Sequence, residues 1–316
     1  MEGPKLSYVY ITGEGRSGST LLGQMLNNLP DFNFVGEFKD IFWDLYMSNY
    51  PCGCGKLFRD CEFWQSVIEG AFGSFERIDR EALAAYNPVL ARERFTPFLM
   101  LFNRRPSEFF SNKWPRAFAD AMLPLCHAVA QASGKNVIVD SSHEPSQALV
   151  LARLPQIQLK VLHLVRDSRA VAFSSTRTKL AFDSGRMRYY LPRKSAVTSA
   201  FGWSWRNFWA SQIARLKRNG LQYARLRYED LVRTPAEALA KTLAQLGFPA
   251  QDFSFINGGT VKLGGNHALS GNTVKFNSGV VTLRLDDEWR QAMAQRDRRI
   301  VTLLTRPLMR RFGYLV

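Results

Sequence analysis

The stretch LSYVYITGEGRSGSTLLGQML, residues 6–26, decides the fold. LSYVYIT is an apolar run closed by a glycine, which predicts a buried strand. SGSTLLGQMLNNL then repeats its apolar residues at helical spacing. Between them lies Gly13-Glu14-Gly15-Arg16-Ser17-Gly18-Ser19-Thr20, the outline of a phosphate-cradling loop, GxxxxG-K-[ST], without its lysine. Ser19 stands where lysine is expected, and Arg16 comes three positions early. Backbone N–H groups of such a loop, with the helix N-terminus beyond it, form a positive nest for phosphate oxygens. Gly15 and Gly18 leave room for the anion, Ser17, Ser19 and Thr20 add hydroxyl donors, and Arg16 can reach a bridging or transferable oxygen. The bland alternative is a serine-rich turn carrying an exposed arginine.

Outward from this unit the pattern repeats. NFVGEF reads as a short second strand ending at Gly36-Glu37, KNVIVDSS as a third, QLKVLHLVRD as a fourth and LQYARLRY as a fifth. SRAVAFSSTRT, a stretch around 194–218 and EDLVRTPAEALAKTLAQLGF read as helices, or a turn and helix, between and after them. GGTVKLGGNHALSGN reads as a glycine-rich loop, and DDEWRQAMAQRDRRIVTLLTRPLMRRFGY as one closing helix. Alternating strands and helices predict an α/β fold, a parallel sheet flanked by helices, with ligands beyond the carboxyl ends of the strands. Residues from about 60 to 132 are helical in pattern, rich in aromatics and punctuated by proline, which predicts a helical insertion over that edge. One domain over residues 1–316 is the expectation.

A second anion site is written in LKVLHLVRDSRAVAFSS: Arg166 ends a strand, Asp167 or Ser168 caps a helix, and Ser174 follows eight residues past the arginine. Arg166 and Ser174 suit a second phosphate; alternatively the arginine pairs with a neighbouring carboxylate. Two separated anionic groups suit a nucleotide such as 3′-phosphoadenosine 5′-phosphosulfate (PAPS).

At this point the chain resembles the PAPS-dependent sulfotransferases, especially the carbohydrate and tyrosylprotein branches. GRSGSTLLGQML resembles their 5′-phosphosulfate loop, VRDSRAVAFSS their 3′-phosphate motif, RYEDLVRTP another family element, and WR…I…FGY their C-terminal helix. The likeness is patchy over about 60–132, where acceptor-binding elements diverge. The resemblance implies sulfuryl transfer from PAPS to a hydroxyl or amine of an acceptor such as a carbohydrate, lipid or other small molecule, leaving adenosine 3′,5′-bisphosphate. It implies no metal, since Arg16 and backbone donors replace the Mg²⁺ and loop lysine of kinases. Arg16 is then the leaving-group stabiliser. Glu37 stands where tyrosylprotein sulfotransferases carry their catalytic glutamate. His143, in VDSSHEP, is the rival base, where bacterial relatives often carry a donor-contacting lysine. Ser270, Gly271, Asn272 and Lys275 of the late loop are expected to close over the 3′-phosphate. Trp203 and Trp205 read as core rather than as an adenine platform.

Composition bounds these readings. Forty-two Lys and Arg against 27 Asp and Glu leave +15, which suits an acidic ligand or peripheral contact with an anionic membrane. No zinc-finger or RNP-type motif is present, so nucleic acid is a poor expectation. No signal peptide or membrane-spanning run is legible, which makes a cytoplasmic protein the default. Cys52, Cys54 and Cys61 crowd one loop, PCGCGKLFRDCEFW, and Cys126 is remote. Their spacing matches no standard pattern and leaves zinc (with Cys126 or His127 as fourth ligand), a disulfide or free thiols open. Two competing functions remain: a P-loop kinase, with Asp140 as the Mg²⁺ ligand at the end of NVIVD, and a non-catalytic polyanion binder.

Overall fold

In the computed structural model the described residues are 5–41, 49–78, 113–183, 188–191, 193–216 and 220–315. In chain order the main elements are β1 (Leu6–Thr12), α1 (Ser19–Asn27), β2 (Phe32–Gly36), α2 (Glu62–Phe72), α3 (Lys113–Ser133), β3 (Val137–His143), α4 (Pro145–Leu151), β4 (Ile157–Val165) and α5 (Ser168–Thr176). They continue with β5 (Lys179–Asp183), β6 (Arg188–Leu191), α6 (Ala196–Ile213), β7 (Gln222–Arg227), α7 (Tyr228–Arg233), α8 (Pro235–Gln245) and β8 (Ile256–Asn257). β9 (Thr260–Leu263), β10 (Gly279–Thr282), α9 (Trp289–Ala292) and α10 (Gln295–Arg311) close the chain.

β1 is the middle of a five-stranded parallel sheet in the order β2-β3-β1-β4-β7. Its side chains alternate between two cores, as a strand's period of two requires. Tyr8 and Tyr10 enter one core with Trp64, Val67, Met122 and Val129 of α2 and α3. Val9 and Ile11 enter the other with Leu22, Met25 and Leu26 of α1 and Leu239 and Leu243 of α8. Both faces being covered explains why LSYVYIT reads as a continuous apolar run. The sheet and its flanking helices match the expected α/β class.

Several readings change. The two described helices of the expected insertion, α2 and α3, cover a face of the sheet; residues 79–112 lie outside the described residues. GGTVKLGGN is not all loop: Thr260–Leu263 buries Val261 and Leu263 alternately and pairs with β8 and β10 in a small antiparallel sheet. Its flanking glycines masked a four-residue alternation. The closing helix is two, α9 and α10. β5 and β6 pair antiparallel, a ladder the pattern did not announce. Among the described residues no helix is long and apolar enough to cross a membrane.

Pairing between β1 and β4 runs in step to Thr12 opposite His163, so the two strands end side by side. The chain leaves β1 through Gly13 at φ +136°, where a Cβ would stand 2.3 Å from the Leu164 carbonyl oxygen. Side chains rarely adopt that angle and none fits the space. Gly15 has an ordinary φ and open space around its Cβ position. Gly13→Ala is therefore expected to cost about 2 kcal/mol or more in urea unfolding, and Gly15→Ala no more than about 0.5 kcal/mol.

Candidate active site

Gly18, at φ +94°, is the N-cap of α1, and no acidic residue occupies the helix's first turn. The helix therefore presents its positive end to the loop undiminished. Glu14, inside the glycine loop, is buried at 1% exposure. Its two oxygens accept hydrogen bonds from Lys194 Nζ (2.9 Å) and Arg206 Nη1 (2.7 Å), which tie the loop to α6 and the segment just before it. Sequence reasoning gave it no role, because its partners lie 180 and 192 residues away. By contrast, Arg16 Nη1 and Ser17 Oγ are buried without a hydrogen-bond partner among the described residues. Buried donors are nearly always paired, so two orphans in a phosphate-type loop point to a missing acceptor. Burial pulls the Arg16 pKa down, and the nearby Glu37 carboxylate opposes that shift.

Arg166 leaves β4 beside this loop. Its Nη1 donates to the Arg16 carbonyl (3.0 Å), its Nη2 to the Asp286 carbonyl (3.0 Å), and its guanidinium lies 4.5 Å from the centre of the Tyr228 ring. Nη2 also pairs with the Asp286 carboxylate at 2.9 Å. The arginine is nearly buried, so it takes a counter-charge wherever one is offered. Ser174 is buried on α5, the helix that follows. Asp167 caps that helix, accepting from Arg169 N at 2.9 Å. Glu229 of the RYED element accepts from the Asp167 N–H and from the Tyr314 hydroxyl, so the C-terminal FGY buttresses the same strand end. Trp203 is fully buried and donates to the Arg166 carbonyl, whereas Trp205 is 38% exposed and only Trp203 is core.

The rival bases are neighbours. His143, at φ +72° on the end of β3, places Nε2 3.3 Å from Ser19 Oγ and 4.0 Å from Glu37 Oε1. Burial drives the imidazole pKa down to about 4, so the ring is neutral at pH 7. Burial raises the Glu37 carboxyl above its ordinary range, against the pull of Lys39 at 3.6 Å. Lys39 sits closer, at 2.6 Å, to Glu144. Burial works against that second charge too, but Lys39 and Arg206 overcome it and hold the Glu144 pKa low. Neither Lys39 nor Glu144 was singled out from sequence; a lysine two residues past Glu37 and a glutamate next to His143 were the available signal.

The late loop is placed differently from expectation. Leu269 pairs through its backbone with Val35 and Glu37. This seats Gly271 where a Cβ would be 3.4 Å from Thr20 Oγ1 and 3.7 Å from Glu37 Oε1. Ser270 bonds Asp40, and the Asn272 side chain accepts from the Val274 N–H. Lys275 Nζ is buried and donates to the Pro51 carbonyl at 2.8 Å. These groups gather at the β2 end of the site. The late residue that reaches Arg166 is Asp286. Asp140, the magnesium ligand of the kinase reading, is fully buried. It spends its oxygens on the Tyr8 hydroxyl, the Phe38 and Ser142 N–H groups and the Ser142 hydroxyl. A carboxylate so engaged is a structural bracket.

Residues 9–252 match the sulfotransferase family, and the chain belongs to it. Carbohydrate sulfotransferase 2 of mouse and of human are each 25% identical over 195 residues, covering 56% of this chain and 35% of theirs. The chain thus matches about a third of the length of those relatives. The sulfotransferase domain of the Synechococcus PCC 7002 olefin synthase shares the fold, with a TM-score of 0.53 and 21% identity over 100% of this chain and 97% of that domain.

Since burial holds His143 neutral, its ring C–H resonances should titrate near pH 4, not near the ordinary 6.5. Proton NMR across that range, assigned by the signal lost in His143→Gln, measures this. A midpoint at 6 or above would mean the ring is solvated and the packing around Ser19 is wrong.

Proposed function

We propose that this chain transfers the sulfuryl group of PAPS to an acceptor hydroxyl or amine by in-line displacement. The observation that carries this is the pair of orphaned donors, Arg16 Nη1 and Ser17 Oγ, in a loop whose Arg16 carbonyl is held by Arg166. That bond sets donors for one anion beside the cation for a second, which supports a nucleotide charged at both ends.

The loop amides from Gly15 to Thr20, with Ser17 and Ser19, take the 5′ end. Arg16 faces the oxygen that bridges sulfur and phosphorus and stabilises the charge it gains as the sulfur–oxygen bond breaks. Arg166 and Ser174 take the 3′-phosphate, which displaces the Asp286 carboxylate from Arg166. Glu37 accepts the acceptor's proton while the acceptor oxygen bonds sulfur, and its raised pKa makes it a stronger base than a solvated carboxylate. Neutral His143, between Ser19 and Glu37, orients both. Gly271, against Thr20 and Glu37, borders the side from which the acceptor enters. The names of the mouse and human relatives make a carbohydrate hydroxyl the first acceptor to try.

Incubation with ³⁵S-labelled PAPS and a panel of sugars, lipids and phenols should label a product with EDTA present, and calorimetry should register adenosine 3′,5′-bisphosphate. Arg166→Ala is expected to weaken that bisphosphate on the order of 30-fold or more, the usual loss on truncating one partner of a buried charge pair. Asp286→Asn should tighten it, because the competing carboxylate is gone. Glu37→Gln should lower kcat by about 10²-fold or more with a small change in KM. In the wild type, kcat/KM should fall with acid through a pKa above the ordinary glutamate value, because only ionised Glu37 accepts the proton. No heat with the bisphosphate, or transfer that needs Mg²⁺, overturns the reading. Near-normal turnover by Glu37→Gln moves the base elsewhere.

A further inference from the structure

The three crowded cysteines meet a fourth group that the sequence keeps far from them. Cys61 Sγ lies 3.7 Å from the sulfurs of both Cys52 and Cys54. His267 Nδ1 lies 3.6 Å from Cys52 Sγ and 3.3 Å from Cys61 Sγ. All four ligand atoms fall within 4.8 Å of one another. A tetrahedral zinc ion with bonds of about 2.3 Å to sulfur and about 2.0–2.1 Å to nitrogen sets sulfur–sulfur edges of about 3.8 Å and sulfur–nitrogen edges of about 3.5 Å. We propose that Cys52, Cys54, Cys61 and His267 bind one zinc ion as a closed, structural Cys₃His site.

The surroundings favour this over the two other readings left open by the cysteine spacing. A disulfide needs sulfurs about 2.05 Å apart and would strand the third thiol and the imidazole. Here Cys61 is equidistant from two partners, and all four cysteines are free. Packed apolar thiols would not need an imidazole nitrogen among them, nor backbone N–H groups turned to sulfur. Yet the Cys54 N–H donates to Cys52 Sγ and the Trp64 N–H to Cys61 Sγ. Such bonds stabilise thiolate ligands. Cys61 is also the N-cap of α2, whose positive end favours a thiolate. His267 is oriented from behind: its ring stacks on Phe63, centroids 4.6 Å apart, and its carbonyl accepts from Trp64 Nε1 at 2.9 Å. Cys126 and His127, the fourth ligands considered from sequence, are not in the cluster.

The role follows from what the four residues join. Cys52, Cys54 and Cys61 belong to the loop before α2, and His267 to the segment that lays Leu269 along the end of β2. Zinc would clamp the Gly271 side of the proposed active site to the body of the protein. It has no coordination position left for substrate.

Untagged protein from zinc-supplemented growth should carry stoichiometric zinc by mass spectrometry of the metal. Apoprotein titrated with Co²⁺ should show sulfur-to-cobalt charge transfer and the visible bands of tetrahedral cobalt. Cys54→Ser, the least disruptive change because that residue is exposed, should weaken zinc on the order of 10²-fold while circular dichroism stays native. Cys126→Ala should keep the metal. In denaturant with chelator all four cysteines should react as thiols. Folded wild-type protein without bound zinc and without the cobalt spectrum, only two reactive thiols, or undiminished zinc in Cys54→Ser would each overturn the site. None of these readouts depends on sulfuryl transfer, so the two proposals fail separately.

Discussion

One hydrogen bond, from the Arg166 guanidinium to the Arg16 carbonyl, joins the two halves of the candidate nucleotide site. It exists because β1 and β4 are neighbours in register and release their chains side by side. Everything around it is arranged to hold Arg166 still. Tyr228 lies under the guanidinium, Trp203 takes the carbonyl of the same residue, and Glu229 and Tyr314 fix the start of the next helix. A nearly buried guanidinium needs compensating charge. Asp286 supplies it, on a residue 43% exposed, so the partner stands where solvent or a ligand can replace it. Fold and proposed binding thus share one group: the cation that holds the loop is the cation proposed to meet the second anion.

Much of this was legible in the sequence because it is local. A strand, a glycine loop and a helix follow one another within 21 residues, and Arg166 and Ser174 lie on one strand–helix unit. The parallel sheet followed from repetition of that unit. Contacts between distant segments were not legible. Glu14 finds its cations on and before α6, Lys275 turns to Pro51, and His267 joins Cys52 across 215 residues. No local periodicity encodes such pairings. β9 was missed for a related reason: the stretch around it read as a glycine-rich loop, and the alternation that makes the strand is only four residues long.

The same physics separates the two carboxylates near His143. Glu144 is buried, Glu37 is largely so, and both share Lys39, so desolvation alone would raise both pKa values. The lysine stands 2.6 Å from Glu144 and 3.6 Å from Glu37, and the closer one keeps its charge more firmly. Pairs of titratable groups pushed apart in this way mark acid–base work. By that logic Glu144 is the anchor for Lys39, and Glu37 is the group left with an affinity for a proton. Burial leaves His143 neutral, which suits a hydrogen-bonding neighbour better than a charged one.

β2 is an edge of the sheet, and an exposed edge would present unpaired backbone groups beside the catalytic candidates. The chain covers the end of that edge with a segment arriving more than 230 residues later, through one bridge between Gly36 and Leu269. Gly36 is at φ +79°, with room for no Cβ against the Leu269 backbone. A single bridge is a weak tether for a segment that seats Gly271 where an added Cβ would meet Thr20 and Glu37. The chain adds the Lys275–Pro51 bond, the Trp64–His267 bond and the sulfur–imidazole cluster within a few residues of it. A coordinated ion there would make closure of that edge part of folding itself, because ligands this far apart in sequence come together only once the sheet is built.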